Sequence, residues 1–264
     1  MSDCHIYLND LELSYPSALY NRKTLKQTVF ELMKLQKPKP LLHDVHAIRG
    51  ISLKINKGDK VGIIGHNGAG KSTLLKAISG IYPVTSGSIE VEGSVRSLLE
   101  LAVGFEIEAT GRENIMYRGL LLGETPAALN AKMNDIIEFA ELGPFIDYPI
   151  KSYSSGMIIR LAFAISTMIG GDILLLDEIF GAGDARFMKK AKQRILEMVE
   201  SSNILVFVSH DLGAVKELCN RVIWLEKGKV RMDGDTDTVV DAYFASLVSE
   251  DIQNVGGEVN DIQA

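Results

Sequence analysis

The chain has 264 residues, enough for one large domain or two small ones at roughly 100–200 residues each. Its 46 % hydrophobic and 23 % charged residues exclude intrinsic disorder, and 28 Lys plus Arg against 34 Asp plus Glu leave a net charge of −6, which weighs against a nucleic-acid binder. Two cysteines, Cys4 and Cys219, cannot build a disulfide framework and fit a reducing compartment. No CxxC, His-rich tract or HExxH supports a structural zinc.

Residues Ile6 to Tyr15 and Ala47 to Ile55 alternate loosely as strands do, the second ending before a turn at Gly58-Asp59. Between them lies an inserted segment, about 21–46, in which Lys23, Lys26, Lys34, Lys37 and Lys39 are interspersed with apolar residues. Leu25, Val29, Leu32 and Met33 follow helical spacing there, so a short amphipathic helix ending near Pro38 and Pro40 is expected. Its lysines are either a solvated face or a surface for anionic lipid head groups or polymer pyrophosphate. Lys60 to Ile64 predicts a short strand, and Lys71 to Ser79 a helix.

The strand Val95 to Leu99 leads to Glu100. Thr125 reads as an N-cap with Pro126 in the first helical position, opening a helix to about Leu142. Helical spacing returns from Gly156 to Met168, followed by an apolar strand at Ile173 to Leu176. A helix around Phe187 to Glu200, a strand at Ile204 to Val208 and a helix at Leu212 to Cys219 continue the alternation, which implies a mainly parallel sheet covered on both faces. Arg221 to Trp224 and Lys229 to Met232 flank a turn at Lys227-Gly228, Asp237 to Val248 reads as a last helix, and the polar tail 249–264 is expected to be mobile.

The longest apolar stretch, Leu161 to Leu176, is interrupted by Ser166, Thr167, Gly170, Gly171 and Asp172, short of the ~18 uninterrupted apolar residues of a membrane span. The N-terminus has neither the basic region nor the apolar core of a secretory signal. A soluble cytosolic chain is expected, with any membrane role supplied by a partner.

Gly65-His66-Asn67-Gly68-Ala69-Gly70-Lys71-Ser72 matches GxxxxGK[ST] without a mismatch, directly after a strand and before a helix. Glycines at this spacing let successive N–H groups point inward, the helix N-terminus adds positive potential, Lys71 reaches the β and γ phosphates of a nucleotide, and Ser72 can ligate Mg²⁺. Thr73 continues the loop into the helix. The apolar run Ile173 to Leu176 ends in Asp177-Glu178. Adjacent residues on a strand face opposite ways, so two tasks are expected: Asp177 on a hydrated Mg²⁺, Glu178 polarising the water that attacks the γ-phosphate.

These residues, with three further segments, resemble the nucleotide-binding subunits of ABC transporters, a P-loop NTPase fold with a mainly parallel α/β core, an antiparallel β part and a helical subdomain. The resemblance runs from Ile6 to about Tyr243, giving one ATP-binding domain over 1–248 with its helical subdomain at about 107–168. Tyr153-Ser154-Ser155-Gly156-Met157 stands at the place of the LSGGQ signature, with Arg160 at the family's spacing; Tyr153, Ser155 and Met157 depart from the consensus. In this family the signature faces the phosphate loop of a second subunit, which implies a head-to-tail dimer holding two ATP. Gly181-Ala182-Gly183-Asp184 is similar to the D-loop. Val208-Ser209-His210-Asp211 resembles the switch region, which gives His210 a contact to the γ-phosphate. Tyr15 takes the place of the aromatic that stacks on adenine, with Tyr20 as its rival. The Q-loop glutamine has no clear match, and Glu100 is placed there; a carboxylate would still accept from a metal-bound water, though it changes the local charge.

The insert, the segment Leu98 to Phe105 running to Thr110-Gly111-Arg112-Glu113-Asn114, the altered signature, and Gly183 to Phe187 with Lys189 and Lys190 are together similar to polysaccharide-export ATPases, especially the Wzt-like O-antigen exporters. The resemblance implies ATP and Mg²⁺, a polytopic permease, a lipid-linked polysaccharide as cargo, and a place at the cytoplasmic face of the inner membrane. Teichoic-acid and capsule exporters share parts of the pattern. About twenty residues follow Tyr243, too few for an appended carbohydrate-binding β-sandwich. Two rival classes are a soluble ABC ATPase acting on ribosomes or DNA, disfavoured by the acidic charge and the absence of a second ATPase half, and a non-hydrolytic module with a relic loop, opposed by Lys71, Asp177, Glu178 and His210.

Overall fold

Four short runs of Ile, Leu, Val and Phe are buried along their length, so they can only be inner strands of a sheet covered on both faces. In the computed structural model, which describes residues 4–18, 42–99, 101, 103–177 and 185–260, they are β3 (Lys60–Ile64), β6 (Ile173–Leu176), β7 (Ile204–Val208) and β8 (Arg221–Glu226). With β5 (Val95–Ser97) and β9 (Lys229–Asp235) they form one sheet in the order β5-β6-β7-β3-β8-β9, parallel throughout except for the closing β8–β9 hairpin.

Side chains sort by the two-residue period of a strand. Val61, Ile63, Ile173, Leu175, Ile204, Val206, Val208, Ile223 and Leu225 join one apolar cluster, and Ile64, Leu174, Leu176, Leu205, Phe207, Val222 and Trp224 the other. The first cluster is completed by α1 (Lys71–Ile78), whose Leu74, Leu75, Ala77 and Ile78 are buried, and by a three-stranded antiparallel sheet, β2-β1-β4, of β1 (His5–Ala18), β2 (Leu42–Asn56) and β4 (Ser86–Glu92). Each buried leucine or isoleucine on α1 contributes about 1.5–3 kcal/mol, which holds an eight-residue helix too short to stand alone. The second cluster takes in α5 (Ala185–Ser201), α6 (Leu212–Leu218) and α7 (Thr236–Asn260).

A third cluster belongs to helices alone. It is built by α2 (Gly111–Leu121), α3 (Pro126–Ala140), two 3₁₀ turns at Gly143–Asp147 and Ile150–Ser152, and α4 (Ser155–Met168). Thr125 caps α3 by accepting from the N–H of Ala128, with Pro126 in the first turn as expected. Helix α2 opens on a capping box in which Thr110 Oγ1 accepts from the N–H of Glu113 and the Glu113 carboxylate accepts from the N–H of Thr110.

Three features differ from the sequence reading. Strand β4 and helix α2 were not anticipated, because neither shows a strong apolar period: no residue of β4 is buried, and α2 buries Gly111, Asn114, Ile115, Arg118 and Gly119, a face carrying a single aliphatic side chain. Helix α7 continues past Val248 to Asn260, and no proline stands in that stretch to end it. The amphipathic helix expected within the insert falls on residues 19–41, outside the described residues. No helix among the described residues is long and apolar enough to cross a membrane.

Candidate functional site

The register of the parallel strands assembles the site. Gly62 on β3 and Leu176 on β6 both pair with Phe207 on β7, so the three strands run level and end side by side. The phosphate loop leaves β3, Asp177 leaves β6, and Ser209-His210 leave β7. Segments more than a hundred residues apart thus meet at the carboxyl end of the sheet, where open α/β sheets bind ligands.

The loop holds a shape that only glycine permits at two of its positions. Gly65 has φ +143°, and a Cβ there would lie 2.2 Å from the carbonyl oxygen of Leu225; Gly70, at φ +104°, would bring a Cβ within 2.6 Å of the Ala47 carbonyl. A Cβ on Gly68 would meet nothing within 4 Å, so the crest of the loop faces open space. Gly70 is the N-cap of α1 and offers no side-chain acceptor to the first turn of the helix. The Lys71 ammonium donates to the carbonyls of Gly65 and His66 at 2.6 and 3.0 Å, Ser72 is exposed, and Thr73 is half-buried. Asn67 is exposed and Ala69 buried. The open crest at Gly68, the ammonium and the exposed Ser72 fit a magnesium-bound polyphosphate.

The loop is also anchored from behind. The N–H of Gly228 in the β8–β9 turn donates to the Ala69 carbonyl at 2.9 Å, and the N–H of Arg49 donates to Gly228 at 2.9 Å, so three separated segments meet beneath it. Sequence reading marked Lys227-Gly228 only as a turn; its pairing with the loop had no local signal. On the opposite side of β3, a Cβ on Gly62 would lie 2.8 Å from Val215 Cγ1 and 3.2 Å from Cys219 Sγ, so the missing side chain is what lets α6 seat on this strand.

Asp177 is half-buried at the end of β6. His210 is exposed in a tight turn, where the N–H of Asp211 donates to Ser209 Oγ and Asp211 Oδ1 caps α6 by accepting from Gly213 and Ala214. His210 also opens on a groove of about 660 Å³ between α5 and α6. Tyr15 stands 42 % exposed on β1 with its ring 6.4 Å from Tyr82, beyond α1. Glu178, Asp184, Glu100 and the rival Tyr20 lie outside the described residues.

The signature segment belongs to the helical layer. Ser154 is the N-cap of α4, accepting from the N–H of Met157 at 3.3 Å, and both Ser154 and Ser155 are exposed. A Cβ on Gly156 would have no neighbour closer than 3.9 Å, so a ligand can approach the backbone there. Tyr153, one of the departures from consensus, is buried: its hydroxyl donates to the Phe145 carbonyl at 2.6 Å, and a Cβ on Gly111 would come within 2.3 Å of that hydroxyl. Burial raises the Tyr153 phenol above its ordinary pKa, with the nearby Asp147 carboxylate adding to the effect, so the group remains a donor. Arg160 Nη2 donates to the Glu141 carbonyl at the end of α3.

Where the helical layer meets the sheet, Arg118 is buried, donates to the Leu101 carbonyl and lies 4.5 Å from the centre of the Phe105 ring. Burial lowers its pKa to about 10, leaving it a cation at neutral pH.

Residues 48–181 match the family described as ABC transporter. The O-antigen export system ATP-binding protein RfbE of Yersinia enterocolitica is 50 % identical over 186 residues, 70 % of this chain and 78 % of that protein. RfbB of Myxococcus xanthus, described in the same words, is 45 % identical over 80 % of this chain and 48 % of its own length. The teichoic acids export ATP-binding protein TagH of Enterococcus faecalis is 44 % identical over 76 % of this chain and 45 % of its own. The chain therefore spans about half the length of these last two relatives. Among solved structures, an ATP-binding subunit of an ABC transporter superposes with a TM-score of 0.65 at 18 % identity, covering 90 % of this chain and 92 % of that one. A dimeric ATP-binding cassette in a post-hydrolysis state with ADP and Pi gives 0.63 at 19 %, covering 88 % and 98 %. The strand order, the loop at the end of β3 and these likenesses agree: the chain belongs to the ABC transporter family, with that family's P-loop ATPase fold.

Proposed function

We propose that the chain is the ATP-hydrolysing subunit of an exporter that moves a lipid-linked polysaccharide of the O-antigen type across the cytoplasmic membrane, working at its inner face through a polytopic permease. The observation that carries the ATPase reading is the placement of Gly65–Ser72, Asp177 and His210 at the ends of three adjacent parallel strands. In this reading the loop amides and Lys71 hold the β and γ phosphates, Tyr15 stacks on the adenine, and Ser72 and Asp177, with Glu100, hold Mg²⁺. The metal supplies charge neutralisation to the phosphates. Glu178 orients and polarises the attacking water, and His210 contacts the γ-phosphate.

The exposed cap of α4 supports a two-chain site. Ser154 and Ser155 are exposed and, with Gly156, leave an open helix N-terminus of the kind a partner copy's γ-phosphate would require; the D-loop resemblance adds Asp184 to the proposed nucleotide contacts. Two copies close head to tail on two ATP, and hydrolysis reopens them. The cargo reading rests on RfbE and RfbB, whose names place them in O-antigen export systems; TagH supports teichoic acid as the alternative cargo.

The test replaces the chromosomal copy with Glu178→Gln and measures polymer at the surface and inside the cell. Loss of surface polymer with lipid-linked polymer held inside is the expected result, and the trapped polymer identifies the cargo. Unchanged surface polymer with the variant expressed discards the polysaccharide reading.

A further inference from the structure

A stack of rings reaches the phosphate loop from outside it. The His66 ring meets the edge of Tyr243 with centroids 5.7 Å apart and planes at 65°, Tyr243 meets Trp224 at 5.2 Å and 72°, and the Arg231 guanidinium lies 4.1 Å over the Trp224 ring. Trp224 stands on β8 and Tyr243 on α7, and both are buried. Tilted aromatic contacts of this kind favour one orientation, because the positive edge of one ring meets the negative face of the next. The backbone of His66 is meanwhile occupied: its carbonyl accepts from Lys71 Nζ at 3.0 Å and from the N–H of Ala69 at 3.1 Å. His66 is thus held at both ends, its ring against Tyr243 and its carbonyl by Ala69 and the Lys71 ammonium, so a ring seat that is lost frees the whole residue to shift.

We propose that Tyr243 is a positioning residue for the phosphate loop: wedged between Trp224 and His66, its ring fixes the backbone of His66 and so where Lys71 meets the nucleotide. The proposal rests on the nucleotide reading above. It also makes α7 part of the nucleotide site, although Tyr243 acts only through His66.

The test uses the full chain and Mg-ATP, with affinity from calorimetry, kcat and KM from phosphate release, and melting temperature as the control for folding. Tyr243→Leu keeps a buried apolar side chain while removing the ring. It is expected to weaken ATP binding and raise KM about two- to tenfold, with kcat changed less than about twofold. Tyr243→Phe is expected to restore the wild-type KM, and His66→Ala combined with Tyr243→Leu to add little to either alone. A folded Tyr243→Leu with wild-type affinity and KM overturns the proposal, as does full additivity of the two substitutions. If the wild-type chain itself binds no Mg-ATP, the nucleotide reading falls first, and that result is distinct from a wild type that binds and a Tyr243 variant that binds equally well.

Discussion

At the loop, single atoms decide what is tolerated. Gly65→Ala would place a methyl group 2.2 Å from the Leu225 carbonyl in a backbone conformation that side chains avoid, so β3 and β8 must part. The expected cost is about 1–3 kcal/mol in denaturant unfolding, with loss of ATP binding; an unchanged midpoint would contradict the loop geometry. Lys71→Ala removes a charge-assisted contact and is expected to weaken Mg-ATP binding about 10- to 100-fold without lowering stability to the same degree. Glu178→Gln keeps size and hydrogen bonding while removing the proposed base. ATP binding is expected to persist while turnover falls about 10²- to 10⁴-fold, and wild-type-like phosphate release would sink the assignment.

At the scale of elements, the outlook turns on how strands and helices are fastened together. Asp172 fastens the starts of three strands: its carboxylate accepts from the N–H and Oγ of Ser94 before β5 and from Asn203 Nδ2 before β7. The Ser94 bonds hold the Asp172 carboxyl below its ordinary value of 3.8. A depressed folded pKa contributes stability that is present above the unfolded pKa and lost as pH falls through the folded one. Asp172→Asn is accordingly expected to flatten the wild type's loss of stability below about pH 4, and parallel acid-unfolding curves would refute this. In the helical layer, Gly111→Ala is expected to destabilise by about 2 kcal/mol and to cost less in a Tyr153→Phe background, since the closest atom is the Tyr153 hydroxyl. Elements with a steep local pattern were legible in the sequence. The span of β3 was read to the residue, and α1, α4 and α5 to within a few residues, because apolar runs, the glycine loop and helical spacing are local signals. Strand β4 was not, since SGSIEVE carries only two apolar residues and buries none on its edge, and α2 was hidden because its capping box opens a helix with a weak apolar face.

At the scale of the molecule, chain order says nothing about strand order. The motif residues could be named from the sequence, but β7 lying between β3 and β6, which brings His210 between the phosphate loop and Asp177, follows from pairings far apart in the chain. The anchorage of Ala69 by Gly228 and the stack on His66 were invisible for the same reason. The exposed α4 cap leads to a prediction for the whole particle. With Mg-ATP, the Glu178→Gln chain is expected to sediment as a dimer and wild type mainly as a monomer, and adding Ser154→Arg to block the cap is expected to abolish the dimer while ATP still binds. Each copy carries a charge of −6, so moderate salt is expected to favour association by screening repulsion. A monomer in all conditions would exclude the head-to-tail arrangement.

The seating of α6 on Gly62 gives the protein a chemical clock. Cys219 lies beneath that helix, where burial pushes its thiol up to about 12, so alkylation at neutral pH must wait until α6 lifts from the strand that launches the loop. In a Cys4→Ser background the labelling rate of Cys219 times these openings, and any ligand that tightens the carboxyl end of the sheet slows it. Movement at the carboxyl end of the sheet can thus be followed by mass spectrometry on the Cys4→Ser chain, with no dye attached to the site.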